Sequence, residues 1–495
     1  MRVKYGAPAF PTSDDSEPMQ SSTTEAGPSQ RAVAEPIPTP PGLPVLGNLL
    51  QLPRGRLTQH LMGVAPSFDG IFEIDFAGLR VPFVTSAALA AELCDEKRFR
   101  KIVKPPLSIL RALAGDGLFT AHQDEPNWGK AHRILVPAFA QRARRAYFDA
   151  MLDVAGQLVE KWEASDDAPI EVSEDMTRLT LDTIALCGFG YRFESFSSAE
   201  LHPFLQAMGR VLDETMGRLT RHRWLTRARV LANRRYDRDI AEMHALVDEV
   251  IRERRAHPVQ SRDLLGLMLE AVDPVSKEGL DDANIRYQVI TFLIAGHETT
   301  SGLLSFVLRL LLEHPEVLAR ARDEVDSVLA DGRKPEYDDL GRLDVIDRIL
   351  KETLRLWPTA PAFAVAPFED TLLGGRYLIP RNRQVTVLLP SLHRDPKVWT
   401  DPDRFDIDRF LPENEARIPS AAYKPFGNGQ RSCIGRQFAI MEAKLALALI
   451  LQRLEFECAD GRPTTAVRET LTLKPDGFRL KVRRRAPGRA AATAA

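Results

Sequence analysis

A glycine-rich loop that carries one cysteine and opens directly into a helix is the first candidate for chemistry. The loop reads Lys424-Pro-Phe-Gly-Asn-Gly-Gln-Arg-Ser-Cys433-Ile-Gly435, with F-x-x-G-x-R-x-C-x-G spacing. The glycines allow a tight path in which main-chain N–H groups can point at the sulfur, and the following helix directs its positive end towards the same atom. Both effects are expected to lower the pKa of the Cys433 thiol and favour the thiolate, the form that binds metal ions. A buried structural cysteine at a helix start is the alternative interpretation.

A long central helix, predicted from Asp282 to Glu313, is the second candidate. Its middle, Ile294-Ala-Gly-His-Glu-Thr-Thr-Ser-Gly302, places glycines and hydrogen-bonding side chains inside an otherwise apolar helix, which predicts a local bulge or kink. Glu298 beside Thr299 is an acid next to an alcohol, a pair that can deliver protons. Ala295 shares a face with Thr299 and is small enough for a flat cofactor to approach. The alternative is an ordinary polar contact between helices.

Weaker patterns accompany these two stretches. Lys351-Glu352-Thr-Leu-Arg355 places opposite charges three residues apart on one helix face, although an isolated pair of this kind is usually a surface ion pair of small energetic value. Trp128-Gly-Lys-Ala-His132 places an aromatic and a basic residue on one face, or else a core tryptophan and a satisfied polar histidine. Segments 70–86, 371–380 and 384–389 have strand patterns, the first as a hairpin and the other two as one small sheet.

Taken in order along the chain, these motifs resemble the cytochrome P-450 family over residues 37–484. The likeness is closest to the haem domain of bacterial self-sufficient fatty-acid hydroxylases. Much of it lies in Phe292-Leu-Ile-Ala-Gly-His-Glu-Thr-Thr-Ser-Gly-Leu-Leu-Ser-Phe306 and in Leu356-Trp-Pro-Thr-Ala-Pro-Ala-Phe363. The resemblance implies a mainly α fold with a small β subdomain, in which haem b (iron protoporphyrin IX) lies between the long central helix and the cysteine loop.

The resemblance also implies a role for each candidate residue. Cys433 is expected to be the axial thiolate ligand of the haem iron, a ligand that promotes O–O cleavage, with Phe426 packed beside the sulfur. The residues expected to hold the haem propionates are Lys101, Trp128, His132 and Arg431. Protons are expected to reach the distal oxygen through Glu298 and Thr299. The pocket is expected to be lined by Phe119 and Ala295, the latter also against the haem, and a structural network is expected of Glu352, Arg355 and Arg409.

The implied reaction inserts one oxygen atom of O₂ into a C–H or C=C bond of a hydrophobic substrate. Electrons are expected from NAD(P)H through a separate flavin or iron–sulfur redox protein, because the resembled enzymes continue into flavin reductase domains and this chain stops. Those enzymes hold the substrate carboxylate with an Arg and a Tyr, and the matching positions here look like Leu79 and Phe83, with Arg80 adjacent. The substrate is therefore expected to be fatty-acid-like or a natural-product intermediate. A peroxide-driven or isomerising haem-thiolate enzyme, a haem-thiolate sensor and a non-haem interaction protein remain as alternatives.

The composition of the chain indicates the partners and the compartment in which this chemistry would take place. The chain has 495 residues and a net charge of −2, so no overall field attracts it to nucleic acid. The four cysteines lie far apart, which fits a reducing compartment rather than a disulfide framework. Residues 1–36 are rich in Pro, Ser and Thr and predict a disordered tail without a membrane anchor. We therefore expect a soluble, cytoplasmic enzyme with one domain at 37–484 and a short basic tail at 485–495.

Overall fold

The computed structural model describes residues 34–53, 55–198, 200–219, 221, 223–259 and 263–486. Within these residues the chain is mainly helical, and the longest helices pack together in one large apolar core. The helices are α1 (Leu57–Val64), α2 (Ala87–Leu93), α3 (Leu107–Ala114), α4 (Pro126–Leu135), α5 (Gln141–Glu163), α6 (Val172–Phe189), α7 (Pro203–Leu219), α8 (Arg223–Ala228), α9 (Val230–Ala256), α10 (Leu264–Glu270), α11 (Asp282–Glu313), α12 (Pro315–Val328), α13 (Asp344–Leu356), α14 (Leu389–Leu392), α15 (Pro412–Glu415) and α16 (Arg436–Arg453).

The strands of the described residues form small sheets around this helical body. They are β1 (Ile71–Phe76), β2 (Leu79–Val84), β3 (Phe99–Lys101), β4 (Ile170–Glu171), β5 (Ala362–Pro367), β6 (Thr371–Leu373), β7 (Tyr377–Ile379), β8 (Val385–Leu388), β9 (Leu454–Cys458), β10 (Val467–Glu469), β11 (Leu473–Pro475) and β12 (Arg479–Arg484). The largest sheet has the order β1-β2-β8-β5-β3, and the others are β4-β12-β9, β10-β11 and β6-β7. The predicted fold class, mainly α with a small β part, is confirmed.

The strand predictions are partly correct. Segment 70–86 is the antiparallel hairpin β1–β2, in which Ile71 lies opposite Val84. Segment 371–380 pairs with itself as β6 and β7, whereas segment 384–389 contains β8, which joins the larger sheet between β2 and β5. The single small sheet expected from these two segments is therefore wrong, because β8 is fully buried and takes partners distant in the chain.

The central helix α11 has the predicted bounds. Of the predicted bulge or kink, the bulge is wrong, and the kink stays a prediction. The helix is α-helical from Asp282 to Glu313, without a 3₁₀ or π segment. The Thr299 hydroxyl donates back to the carbonyl of Ala295 at 2.8 Å, and this bond does not interrupt the helix. Gly302 instead allows a close approach, because a Cβ there would lie 2.7 Å from the carbonyl oxygen of Leu473 in β11.

The two predicted tails lie mostly outside the described residues. At their inner ends, however, both are in contact with the folded body. Glu35 forms an ion pair of 2.7 Å with Arg376, and the backbone N–H of Glu35 donates to the carbonyl of Arg376. Arg485 forms an ion pair of 2.7 Å with Asp326. No helix in the described part of the chain combines the length and the apolar character needed to cross a bilayer.

Candidate active site

The cysteine loop is anchored by a carboxylate that approaches its backbone. Gly429 has a φ of +59°, and a Cβ there would lie 2.2 Å from the carboxyl carbon of Glu96. The next backbone N–H, that of Gln430, donates to Glu96 at 2.8 Å. Only glycine suits position 429, since it meets both a left-handed backbone and a neighbour with no room for a side chain. Further along, the N–H of Cys433 donates to the carbonyl of Phe426 at 2.8 Å, so the loop folds back on itself as it reaches the cysteine.

A buried histidine ties the start of the loop to the interior. The backbone N–H of Lys424 donates to Nε2 of His393 at 2.9 Å, and Nδ1 of the same ring lies 3.3 Å from the carbonyl oxygen of Arg355. Burial lowers the pKa of His393 to about 3, so the ring is neutral and Nε2 can accept. The Lys424 side chain holds Asn428 at 2.9 Å, and Asn428 donates to the carbonyl of Cys94 at 2.9 Å.

The thiol of Cys433 faces a cavity rather than bulk solvent. It is solvent-accessible, yet protein atoms surround it closely enough that burial raises its pKa. The backbone N–H of Gly435 and the positive charge of Arg436 act in the opposite direction but do not overcome burial. The expectation of a net lowered thiol pKa is therefore wrong for the polypeptide by itself, although the loop and the helix start act in the direction expected. A bound metal cation deprotonates a coordinating thiol outright, so the site remains suited to a metal ligand.

The central helix lies within two contacts of this loop. Gly435 lies beside Phe139, since a Cβ at this position would come 3.8 Å from its ring, and the Phe139 ring stacks on Phe292 of α11 with centroids 5.8 Å apart. Ala295, one turn further along α11, is solvent-accessible although Ile294 beside it is 3 % exposed. A small accessible residue in the middle of a buried helix indicates that this face of α11 borders a cavity.

Aromatic and basic side chains converge beside the loop. The guanidinium of Arg431 lies 4.4 Å from the ring centre of Trp128, and the Trp128 ring stacks on His132 at 5.1 Å. The ammonium of Lys101 donates to the carbonyl of Phe119 at 2.6 Å and lies 5.0 Å from the centre of its ring. The loop that carries Phe119 also reaches α11, since the N–H of Leu118 donates to Gln288 at 2.9 Å. The structure thus brings together the five residues that the sequence assigned to the propionates and the pocket mouth.

No carboxylate among the described residues forms an ion pair with this group of cations, although the charge of Glu125 acts on Arg431 from a distance. Burial lowers the pKa of Lys101 to about 7, and repulsion from Arg431 adds to the effect. Burial also lowers the pKa of Arg431 to about 10. Its Nη2 donates to the carbonyl of Ala121, but its buried Nε and Nη1 have no hydrogen-bond partner in the described chain. Unpaired buried cations of this kind call for carboxylates, and the two propionates of haem b would supply them.

Glu298 and Thr299 bind different partners. Oε2 of Glu298 accepts from the hydroxyl of Thr472 at 2.8 Å, and Oε1 lies 3.0 Å from Nε2 of His297 and 3.3 Å from Nζ of Lys474. Burial acts to raise the pKa of Glu298, but Lys474, His297 and Thr472 outweigh it and hold the pKa well below its usual range. Thr299 bonds only to its own helix among the contacts of the described chain. The acid therefore lies against β11 and is held as a carboxylate.

The structure brings the three residues of the expected structural network together. One edge of the Arg355 guanidinium donates to both carboxylate oxygens of Glu352, from Nε at 2.7 Å and from Nη2 at 2.8 Å, and both side chains are fully buried. Nε of Arg409 lies 3.5 Å from the same carboxylate. Arg355 also donates to the carbonyls of His393 and Pro402, at 3.0 and 2.6 Å. The network is thus joined through His393 to the start of the cysteine loop.

Four residues at this site were missed from the sequence. No motif marks Glu96 or His393 as anchors of the loop, because each acts on backbone far away in the chain. Thr472 and Lys474 likewise reach α11 from a short hairpin near the C-terminus. One signal could have drawn attention to His393. The sequence His393-Arg-Asp-Pro396 stands ahead of the cysteine loop, at the place in the chain where the resembled family has such a segment.

Comparison with known proteins extends these observations. The family model described as "Cytochrome P450" matches residues 37–482. The bifunctional cytochrome P450/NADPH–P450 reductase 2 of Bacillus subtilis (strain 168) is 49% identical over 91% of this chain and 43% of the relative. A self-sufficient cytochrome P450 monooxygenase of Aspergillus niger is 46% identical over 90% of this chain and 43% of the relative. The chain thus spans less than half the length of these curated relatives.

A solved structure matches over nearly its whole length. It is the crystal structure of the cytochrome P450DA heme domain, which is 53% identical in sequence and superposes with a TM-score of 0.88. The match covers 92% of this chain and 98% of that one. The fold described above therefore also occurs in a solved structure of similar sequence.

Proposed function

The chain belongs to the cytochrome P450 family, and on that premise we propose that it is a haem-thiolate monooxygenase acting on a hydrophobic substrate. One atom of O₂ would enter a C–H or C=C bond of that substrate. The observation that carries the proposal is the pairing of the anchored Cys433 loop with half-buried Arg431 and Lys101, neither of which has an ion-pair partner among the described residues. A sulfur ligand beside a guanidinium with two unsatisfied nitrogen atoms and beside a second cation fits a metal cofactor with acidic side arms.

The residues that would hold haem b are those around the loop. Cys433 would ligate the iron, and Arg431 and Lys101 would bind the propionates, with Trp128 and His132 packed alongside. Haem bound by a thiolate supplies activation of O₂ and cleavage of its O–O bond. The backbone bond between Cys433 and Phe426 would fix the sulfur in the loop.

On the other side of the cavity, residues of α11 would deliver protons, and Phe119 would shape the access of the substrate. Ala295 leaves room on α11 for the cofactor, and Phe119 would shape the entrance. The Thr299 hydroxyl donates to Ala295, so its oxygen can accept a hydrogen bond from water in the cavity. Glu298 would pass protons towards Oγ1 of Thr299 from the interior of the protein.

The entrance supports a substrate that needs no carboxylate anchor. Leu79 is 64 % exposed and apolar, while Phe83 is buried and stacks on Phe72. Arg80 faces the acids of its own hairpin, at 3.8 Å from Glu73 and 3.6 Å from Asp75, and Arg383 also pairs with Glu73. We propose a fatty-acid-like or natural-product substrate bound mainly through apolar surface.

Titration with a fatty acid and with the alcohol of the same chain length tests this point. Each ligand is followed by the change in spin state in the haem spectrum. We expect dissociation constants within about threefold of each other, since a useful charged hydrogen bond would separate them by tenfold or more. A clear preference for the acid that disappears in Arg80→Gln would overturn the proposal.

The electron source follows from the relatives only by analogy. Their printed names include an NADPH–P450 reductase in the same chain. We propose that electrons come from NADPH through a flavin-containing or iron–sulfur redox protein. That this protein is separate, and that the enzyme is cytoplasmic, stay predictions.

Turnover by the purified, haem-loaded chain tests the reaction class. We expect product with NADPH, O₂ and an added reductase, and little product with peroxide alone. Efficient turnover with peroxide alone would indicate a peroxide-driven enzyme. A haem-bound protein that turns over neither way would favour a sensor.

A further inference from the structure

We propose that Lys474 and Thr472 are positioning residues that hold the Glu298 carboxylate against β11, away from Thr299, and so control when Glu298 can carry a proton. This inference rests on the proposed function, because it concerns proton delivery in the same site. It adds to that function two residues from a hairpin that carries no family motif discussed above.

Two of the contacts of Glu298 come from the hairpin that contains β11. Thr472 donates to Oε2 at 2.8 Å, and Lys474 lies 3.3 Å from Oε1. Lys474 also donates to the hydroxyl of Thr177 in α6 at 3.2 Å, so it links β11, α6 and α11. The exposed fractions of the Glu298 and Lys474 side chains are 14% and 13%, and little water competes with the pair.

The position of β11 is fixed independently of this ion pair. The backbone of Leu473 meets α11 at Gly302, where no side chain fits. The N–H of Leu473 also donates to the carbonyl of Thr359 at 3.0 Å. Thr472 and Lys474 flank Leu473, so the close approach of the backbone delivers both side chains to the same turn of α11.

The charge balance around Glu298 depends on one lysine. Among the described residues, the titratable groups that contact it are Lys474 from β11 and His297 from its own helix. From α6, the Thr177 hydroxyl contacts Lys474 and the Thr180 hydroxyl donates to the carbonyl of His297. Without Lys474, burial would act on the carboxylate with much less opposition. Glu298 would then take up a proton at a higher pH than in the native protein.

Lys474→Met in the haem-loaded full chain tests the proposal. The matched control is Lys481→Met, which removes a half-buried lysine from β12. Infrared spectroscopy, run as a pH titration, should show the C=O band of protonated Glu298 at a pH about 1–3 units higher in Lys474→Met than in the native protein and the control. The band is assigned to Glu298 by its absence from Lys474→Met/Glu298→Gln. The acid band of the buried Glu442, whose pKa is raised by burial, is common to all four proteins and is subtracted.

The pH dependence of coupling gives a second readout. The product formed per NADPH is measured from pH 9 down to the lowest pH at which the carbon monoxide spectrum stays native. In Lys474→Met the acid limb of this profile should move to higher pH by about 1–3 units, the range by which a nearby opposite charge shifts a carboxyl pKa. Lys474→Arg, which keeps the charge, should restore the native profile.

The outcomes separate this inference from the proposed function. If the Glu298 acid band of Lys474→Met appears at the native pH and the coupling profile is unchanged while its carbon monoxide spectrum is native, the positioning role is wrong and the monooxygenase proposal stands. If the native protein shows no thiolate-type carbon monoxide spectrum, the proposed function itself fails. Should Lys474→Met not fold, Thr472→Val serves instead, because loss of its hydrogen bond should move the profile in the same direction by a smaller amount.

Discussion

The two polar regions of the cavity differ in how their charges are satisfied. Beside the cysteine loop, Lys101 and Arg431 are buried with no carboxylate bound among the described residues, and the pKa of each is lowered. On α11, Glu298 is equally enclosed but is fully partnered by protein groups. The first region is prepared for a charged group from outside the chain. The second is complete in itself and must rearrange before it can act.

The largest expected effect comes from removing the sulfur ligand at the centre of the first region. Cys433→Ala removes the only group in the loop able to ligate iron through sulfur, so the thiolate-type carbon monoxide spectrum should disappear completely. Cys458→Ala, in β9, is the control and should keep the spectrum. A spectrum that survives in Cys433→Ala would assign the ligand to another residue.

The second prediction tests whether the unpaired cations await an anion. Arg431→Gln should accelerate haem loss by about 10- to 150-fold, because a hydrogen bond to a charged group contributes about 1.5–3 kcal/mol. The transfer of haem to an excess of an acceptor apoprotein measures the rate. Arg381→Gln, at an exposed position, should release haem at the native rate. Equal rates in the two variants would mean that Arg431 binds no propionate.

The third prediction concerns the second region. Thr299→Ala should retain haem but lower the product formed per NADPH by about tenfold. This loss is smaller than the usual contribution of a positioned proton donor, because cavity water can replace part of the function of the hydroxyl. The missing electrons should appear as peroxide. Ser305→Ala removes the same kind of back-bond two turns further along α11 and should leave coupling unchanged.

The smallest effect is a pH dependence that sharpens the contrast. Lys101 has a pKa of about 7 before an anion binds, and a propionate would raise it. Between about pH 7 and the raised value the bound state holds more protons, so haem affinity should fall as the pH rises through this window. The rate of haem loss from pH 6 to 9 measures the effect. Lys101→Met should flatten it, whereas Lys97→Met, at the surface, should not.

The sequence predicted local features of this site better than distant ones. The bounds of α11 and the hairpin β1–β2 follow from periodicity, because these elements are defined by their own residues. The assembly of Trp128, His132 and Arg431 was reached through family resemblance, since no pattern within one segment reports a contact between segments.

The failures share a physical cause. A bulge was expected in α11 because Gly and Thr weaken an isolated helix, but the surrounding core keeps the helix regular and Gly302 serves the approach of β11 instead. A lowered thiol pKa was expected from local dipoles, whereas burial by distant segments has the larger effect. Glu96, His393 and Lys474 were missed for the same reason. Glu96 acts on backbone 334 positions away, Lys474 on a carboxylate 176 positions away and His393 on backbone 31 positions away, and no local pattern pairs these residues.

The neutral imidazole of His393 has a consequence for acid tolerance. An unfolded chain protonates this ring below about pH 6.5, while the native ring resists protonation until about pH 3. Between those limits the unfolded state binds more protons, so acidification should weaken the native state by up to about 1.4 kcal/mol per pH unit from this one side chain. The same ring would keep the peptide ahead of Cys433 fastened throughout that interval. Mild acid should therefore lower the free energy of global unfolding without first releasing the backbone of the Cys433 loop from His393.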